Sequence, residues 1–156
     1  EHHKVDYLGV AFADEGISLK NGGIKLPIMV LNPESTSFAS IIQYQLEPEI
    51  YSLKGLNAFL KIAREKNLKD FPIHIKLDTG MHRLGFEEKD LNELIGLLKN
   101  NNLVDVKSIF SHLSSSEVLQ SIKHLITPNR IFFHHTNIAQ GQLEGHTRIP
   151  SHRIMC

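Results

Sequence analysis

Residues 73–86 read Ile-His-Ile-Lys-Leu-Asp-Thr-Gly-Met-His-Arg-Leu-Gly-Phe (IHIKLDTGMHRLGF). Side chains of a strand point alternately to opposite faces, so Ile73, Ile75 and Leu77 share one face and His74, Lys76 and Asp78 the other. A parallel strand covered on both sides normally reads as continuously apolar. Here one face is wholly ionisable. In a barrel the apolar face meets the surrounding helices and the polar face lines the interior, where a lysine needs a compensating anion or gives up its proton. This reading predicts a charge network containing Lys76, Asp78 and Arg83 that reaches toward a bound anionic group. At an open sheet edge the same residues would be solvated surface charges.

Working outward, four more apolar runs have the same form. Residues 7–13 (YLGVAFA) lead through Asp14-Glu15-Gly16 into a short helix over 17–21, with Asp14 as its N-cap and Gly22-Gly23 as its stop. Residues 27–31 (PIMVL) precede a polar helix over 35–44. Residues 46–51 (LEPEIY) precede Ser52 as an N-cap, and Leu53, Leu56, Phe59, Leu60 and Ala63 then recur at intervals of three and four, an apolar helical stripe. After residues 73–77, a helix from about 87 to 99 places Leu91, Leu94, Ile95 and Leu98 on one face. Residues 106–112 (VKSIFSH) form the fifth strand, with a further helix beginning near Val118, Ile122 and Leu125. Strand, polar turn and helix alternating at about 25 residues is the mark of repeated βαβ units and a parallel sheet. Pro48 is awkward within the third run, because proline cannot donate to a ladder, and fits best at a strand end or bulge.

The polar residues gather after the strands, at the edge where α/β proteins build their sites. No G-x-G-x-x-G or Walker motif occurs, which weakens a nucleotide-binding reading. The fold expected is α/β, a partial TIM-type barrel of about five parallel βα units over residues 1–125. From 126 to 156 the rhythm is lost. That tail carries His134, His135, His146 and His152, with Arg130, Arg148 and Arg153 against a single acid, Glu144. Three accounts of the tail are open: unrelated sequence joined by a reading-frame accident, a diverged barrel end, or a metal site built from the histidines and Cys156. No H-E-x-x-H or paired C-x-x-C spacing supports the metal.

Seventeen basic and 17 acidic residues balance, so no charge excess points to nucleic acid or an anionic membrane. No run approaches the roughly 18 apolar residues of a membrane span. The start, Glu1-His2-His3-Lys4, shows no signal peptide, and one cysteine, Cys156, allows no internal disulfide. The expectation is a soluble protein of the cytoplasm.

The stretch DTGMHRLGF at 78–86 closely resembles the D-T-G-M-x-R-x-G signature of the alanine racemases, fold-type III enzymes dependent on pyridoxal 5'-phosphate. The likeness extends in order through YLGVAFADEG at 7–16, GIKLPIMVL at 23–31, LEPEIYS at 46–52 and IFSHLSS at 109–115. It implies an eight-stranded barrel, of which these would be the second to sixth strands, joined to a β domain in a head-to-tail homodimer. The activity implied is interconversion of L- and D-alanine for peptidoglycan synthesis. Position by position, Arg83 resembles the arginine that contacts the cofactor's phenolic oxygen and the substrate carboxylate. His112 resembles the histidine beside the cofactor ring. Lys76 stands where the family often carries a carbamate, whose charge would steady Arg83. His74 and His82 are taken as structural.

The family's two catalytic bases have no match here. One is the lysine that also forms a Schiff base with the cofactor, expected ahead of residue 1. The other is a tyrosine from the partner's β domain. The 156-residue chain alone is therefore expected to be inactive. Two other readings are a racemase of another amino acid and a non-catalytic cofactor-binding or structural module.

Overall fold

The computed structural model describes residues 5–78 and 82–111, together with the backbone strand at 154–155. Five strands alternate with helices: β1 (Tyr7–Val10), α1 (Ala13–Asn21), β2 (Ile28–Val30), α2 (Phe38–Gln43), β3 (Glu47–Ile50), α3 (Leu53–Glu65), β4 (Phe71–Leu77), α4 (Leu91–Lys99) and β5 (Val104–Ser111). Short 3-10 turns at Ser35–Ser37 and Glu88–Asp90 lead into α2 and α4. A sixth strand, β6 (Ile154–Met155), pairs in parallel with β1. In the order β5-β4-β3-β2-β1-β6, the first five strands lie in chain sequence and β6 adds beside β1, and every pairing is parallel. This is the expected run of parallel βα units, a TIM-like sheet that is not closed among the described residues. The expected helix after residue 117 and the boundary near 125 lie outside the described residues.

Three helices end in the same device. After α1, the Ile24 N–H donates to the Leu19 carbonyl and the Gly23 N–H to that of Lys20. Leu46 to Ile41 with Gln45 to Ile42 repeats this after α2, and Leu68 to Ala63 with Asn67 to Arg64 after α3. Each is a Schellman turn that satisfies otherwise orphaned carbonyls. The turning residues Gly23, Gln45 and Asn67 all have positive φ. In each case the next residue is hydrophobic and heads toward the following strand.

Helix starts hold one correction. Ser52 caps α3 as predicted, its Oγ accepting from the Gly55 N–H at 3.1 Å. Asp14, however, lies within the first turn of α1, whose N-cap is Phe12. Glu15 does the capping instead, its carboxylate accepting from the Ala11 N–H at 2.9 Å and the Phe12 N–H at 3.2 Å. A glutamate three residues on can reach back over the helix start, whereas Asp14 is already committed to helical backbone.

The core fills the space between one sheet face and the helices. Ile28, Val30, Ile50, Ile73 and Ile75 meet Phe38 of α2 and the α3 stripe of Leu56, Phe59, Leu60 and Ala63. Phe59 packs edge-on to Phe38 with ring centroids 5.1 Å apart, and tilted against Phe71 at 5.7 Å. On α4, Leu91, Leu94 and Leu98 pack as predicted, but Leu97 rather than Ile95 completes the face.

Candidate active site

The opposite face of the sheet is polar, and alternation places its residues. Ile73, Ile75 and Leu77 point into the core, leaving His74 and Lys76 on the other side of β4. In β3, Ile50 belongs to the core, so Glu47 and Glu49 face the same way as His74 and Lys76. Glu49 lies directly beside His74 in the β3–β4 register. β5 needs a correction of phase to join them. Val104 and Val106 face the core, then a bulge between the Ile73 and His74 pairings skips Lys107 and sets Ser108 opposite His74. One extra residue thus re-aims Ser108 from the helical layer to the polar face.

Two polar layers result. Toward the strand starts, His74 is fully buried and both its ring nitrogens are occupied. Nδ1 lies 2.7 Å from Ser108 Oγ and Nε2 lies 2.9 Å from Glu47 Oε2. A carboxylate accepts, so Nε2–H donates to Glu47, while Nδ1 is bonded to the Ser108 hydroxyl, a group that can both donate and accept. Tyr7 packs edge-on to His74 at 5.5 Å. Burial, then the Glu47 carboxylate, pushes the Tyr7 phenol up to about 12.

Toward the strand ends, Lys76 Nζ lies 3.0 Å from Glu49 Oε1 and 3.3 Å from Asn32 Oδ1, which it reaches as a donor. Glu49 is 0% exposed. Its pairing with Lys76 is one of charge and proximity, since neither Glu49 oxygen accepts a well-aligned hydrogen bond among the described residues. Burial pushes the Glu49 carboxyl above the usual range, and Lys76 pulls it back.

Above these layers, the segment after β4 folds back on itself. The Asp78 N–H donates to the Phe86 carbonyl and the Phe86 N–H to that of Lys76, while Asp78 Oδ1 accepts from the His82 N–H at 3.1 Å. Gly85 closes this loop at φ +141°, where a Cβ would stand 2.3 Å from the Asp78 nitrogen. No other residue fits there. The loop carries Arg83, which is exposed.

The structure therefore brings Lys76 to the polar face and leaves Arg83 exposed in the segment after β4, while His112 lies outside the described residues. Glu47, Glu49, Asn32, Tyr7 and Ser108 were not singled out from sequence. The two glutamates had a legible signal: they are two residues apart on the strand beside His74 and Lys76, and of opposite charge to the lysine. Among the described residues no group of three or more His, Cys, Asp or Glu could hold a metal ion.

The sequence profile described as "Alanine racemase, N-terminal domain" matches residues 1–141. The chain belongs to the alanine racemase family. The alanine racemase of Thermodesulfovibrio yellowstonii is 36% identical over 116 residues, 74% of this chain and 31% of that protein. Among solved structures, the alanine racemase of Clostridium difficile 630 superposes with a TM-score of 0.63 at 34% identity, over 71% of this chain and 30% of the other. The alanine racemase of Bartonella henselae, described with covalently bound pyridoxal phosphate, shares the fold at a TM-score of 0.66 and 20% identity, over 83% of this chain and 49% of the other. The chain thus spans about three-tenths of the length of the curated alanine racemases it matches.

Proposed function

We propose that this chain forms one wall of a pyridoxal-phosphate-dependent alanine racemase, the wall that binds the substrate carboxylate. The observation that carries the reading is the match to the alanine racemase family, with Arg83 exposed in the segment that follows the strand bearing Lys76. Among the described residues, the exposed guanidinium of Arg83 after β4 suits an anionic cofactor on charge, whereas the Lys76 ammonium is already paired with Glu49. Arg83 would hold the phenolic oxygen and the amino-acid carboxylate through charge-assisted hydrogen bonds. His112 would sit beside the ring. Pyridoxal phosphate, when bound, supplies the electron sink that makes the Cα proton of an amino acid removable. The chain's own part is to bind and orient, because none of its residues matches the family's lysine or tyrosine base. Production of D-alanine for peptidoglycan in the cytoplasm, by a homodimer, is the biological setting we propose. No described helix is long and apolar enough to cross a membrane.

The test is a chimera in which residues 7–111 replace the matched segment of the Clostridium difficile alanine racemase. It should convert L-alanine to D-alanine only with pyridoxal phosphate, read by chiral chromatography, and prefer alanine over larger amino acids. A chimera that folds and takes up the cofactor but racemises nothing contradicts the proposal. Preference for another amino acid would move the assignment to a different substrate.

A further inference from the structure

We propose that Asn21 is a site of spontaneous modification, deamidation to aspartate and isoaspartate, gated by opening of the last turn of α1. Asn21–Gly22 is the only Asn–Gly pair in the sequence. Asn21 ends α1, and it and the two glycines that follow are exposed. A glycine, lacking Cβ, lets another group approach its backbone nitrogen closely. No surrounding atom comes nearer than 3.4 Å to the place a Gly22 Cβ would take, so that approach is open. The Gly22 N–H is meanwhile engaged, donating to the Ser18 carbonyl at 2.9 Å.

These observations supply both a reaction and its gate. The Gly22 nitrogen attacks Cγ of the Asn21 side chain. The N–Cγ bond forms, the Cγ–Nδ2 bond breaks, and ammonia leaves with the proton that the backbone amide gives up. Water then opens the cyclic imide. Cleavage at Cγ yields aspartate, and cleavage at the Asn21 main-chain carbonyl carbon yields isoaspartate, whose backbone runs through the side chain. The ring cannot close while Asn21 keeps helical backbone and Gly22 stays bonded to Ser18. That turn is held by the Gly23 N–H on Lys20 at 3.0 Å, the Ile24 N–H on Leu19 at 3.1 Å, and Lys20 Nζ on the Leu26 carbonyl at 3.0 Å. Exposed helix ends open locally at far lower cost than the core, so reaction follows each opening. The product then keeps the turn open. Aspartate sets an anion at the negative end of the α1 dipole, and isoaspartate lengthens the main chain so that the left-handed Gly23 turn loses its register. None of this depends on the racemase reading.

The full 156-residue chain is incubated in mildly alkaline heavy-oxygen water, with and without urea, and every asparagine is followed by peptide mass spectrometry. Asn21 should convert ahead of all other asparagines in urea, with heavy oxygen incorporated. The folded chain should convert it about tenfold more slowly, the factor set by the cost of opening the turn. Gly23→Ala places a side chain at φ +87°. It should speed the reaction in folded chain, judged by circular dichroism, by about fivefold, because Ala is strained there. Gly22→Ala, at an ordinary φ of −75°, should slow it in urea by about tenfold by crowding the attacking nitrogen. Equal rates with and without urea, another asparagine converting first, or an unchanged rate in Gly23→Ala would overturn the proposal.

Discussion

Tyr7 shows how a single side chain on the polar face couples to the rest. Its phenol, pushed up to about 12 from an ordinary 10.0 by burial and by Glu47, keeps its proton in the folded chain over a range where the unfolded chain loses it. The sign follows from linkage: the unfolded state binds fewer protons above pH 10, so stability is fully present below about pH 10 and falls as pH rises toward about 12. Tyr7→Phe should remove that contribution. Urea unfolding midpoints compared at pH 9 and pH 11 should fall less for the variant than for the parent, and equal falls would contradict the assignment. Lys76 was the residue most informative in the sequence, because its position on an otherwise polar strand face demanded an anion. That the anion is Glu49 was harder to see, since Pro48 between two acids looks like a strand interruption. The register removes the difficulty: β3 pairs with β2 through Glu47 and Pro48, and with β4 through Glu49 and Ile50. The missing N–H falls where one ladder gives way to the other.

At the scale of elements, the strand–helix alternation was legible because each unit pairs a short apolar strand with a helix of matching stripe. The α3 stripe from Leu53 to Ala63 packs as its spacing requires. What the pattern could not carry were features that depend on a single backbone residue, such as the β5 bulge at Lys107 or the left-handed turns at Gln45 and Asn67. The loop over 78–86 stands between these cases. Its glycine was visible as part of a motif, but the reason for it is a backbone collision seen only in three dimensions. Gly85→Ala should therefore cost about 2 kcal/mol or more, the strain of a disfavoured conformation with a clash added. A urea-unfolding midpoint that does not move would show that the loop can open without loss.

For the whole molecule, the described strands form one parallel sheet whose polar face carries the His74–Glu47 and Lys76–Glu49 pairs. The 156-residue chain by itself should produce no D-alanine from L-alanine with pyridoxal phosphate present, because no residue in it matches the family's covalent lysine. Chiral chromatography of an overnight incubation checks this, and robust conversion would refute it. The family and the barrel type were readable from five ordered motifs. The tail was not read so plainly, and its 154–155 strand against β1 accords with one of the three accounts open for it, a diverged barrel end.

The most direct test of the central claim, that the loop after β4 presents Arg83 to a carboxylate, is the kcat/KM for L-alanine of the chimera carrying Arg83→Gln. Loss of a charge-assisted, two-point contact worth roughly 1.5–3 kcal/mol predicts a fall of about tenfold to a hundredfold, with the fold and cofactor uptake retained. A kcat/KM unchanged from the parent chimera would contradict it.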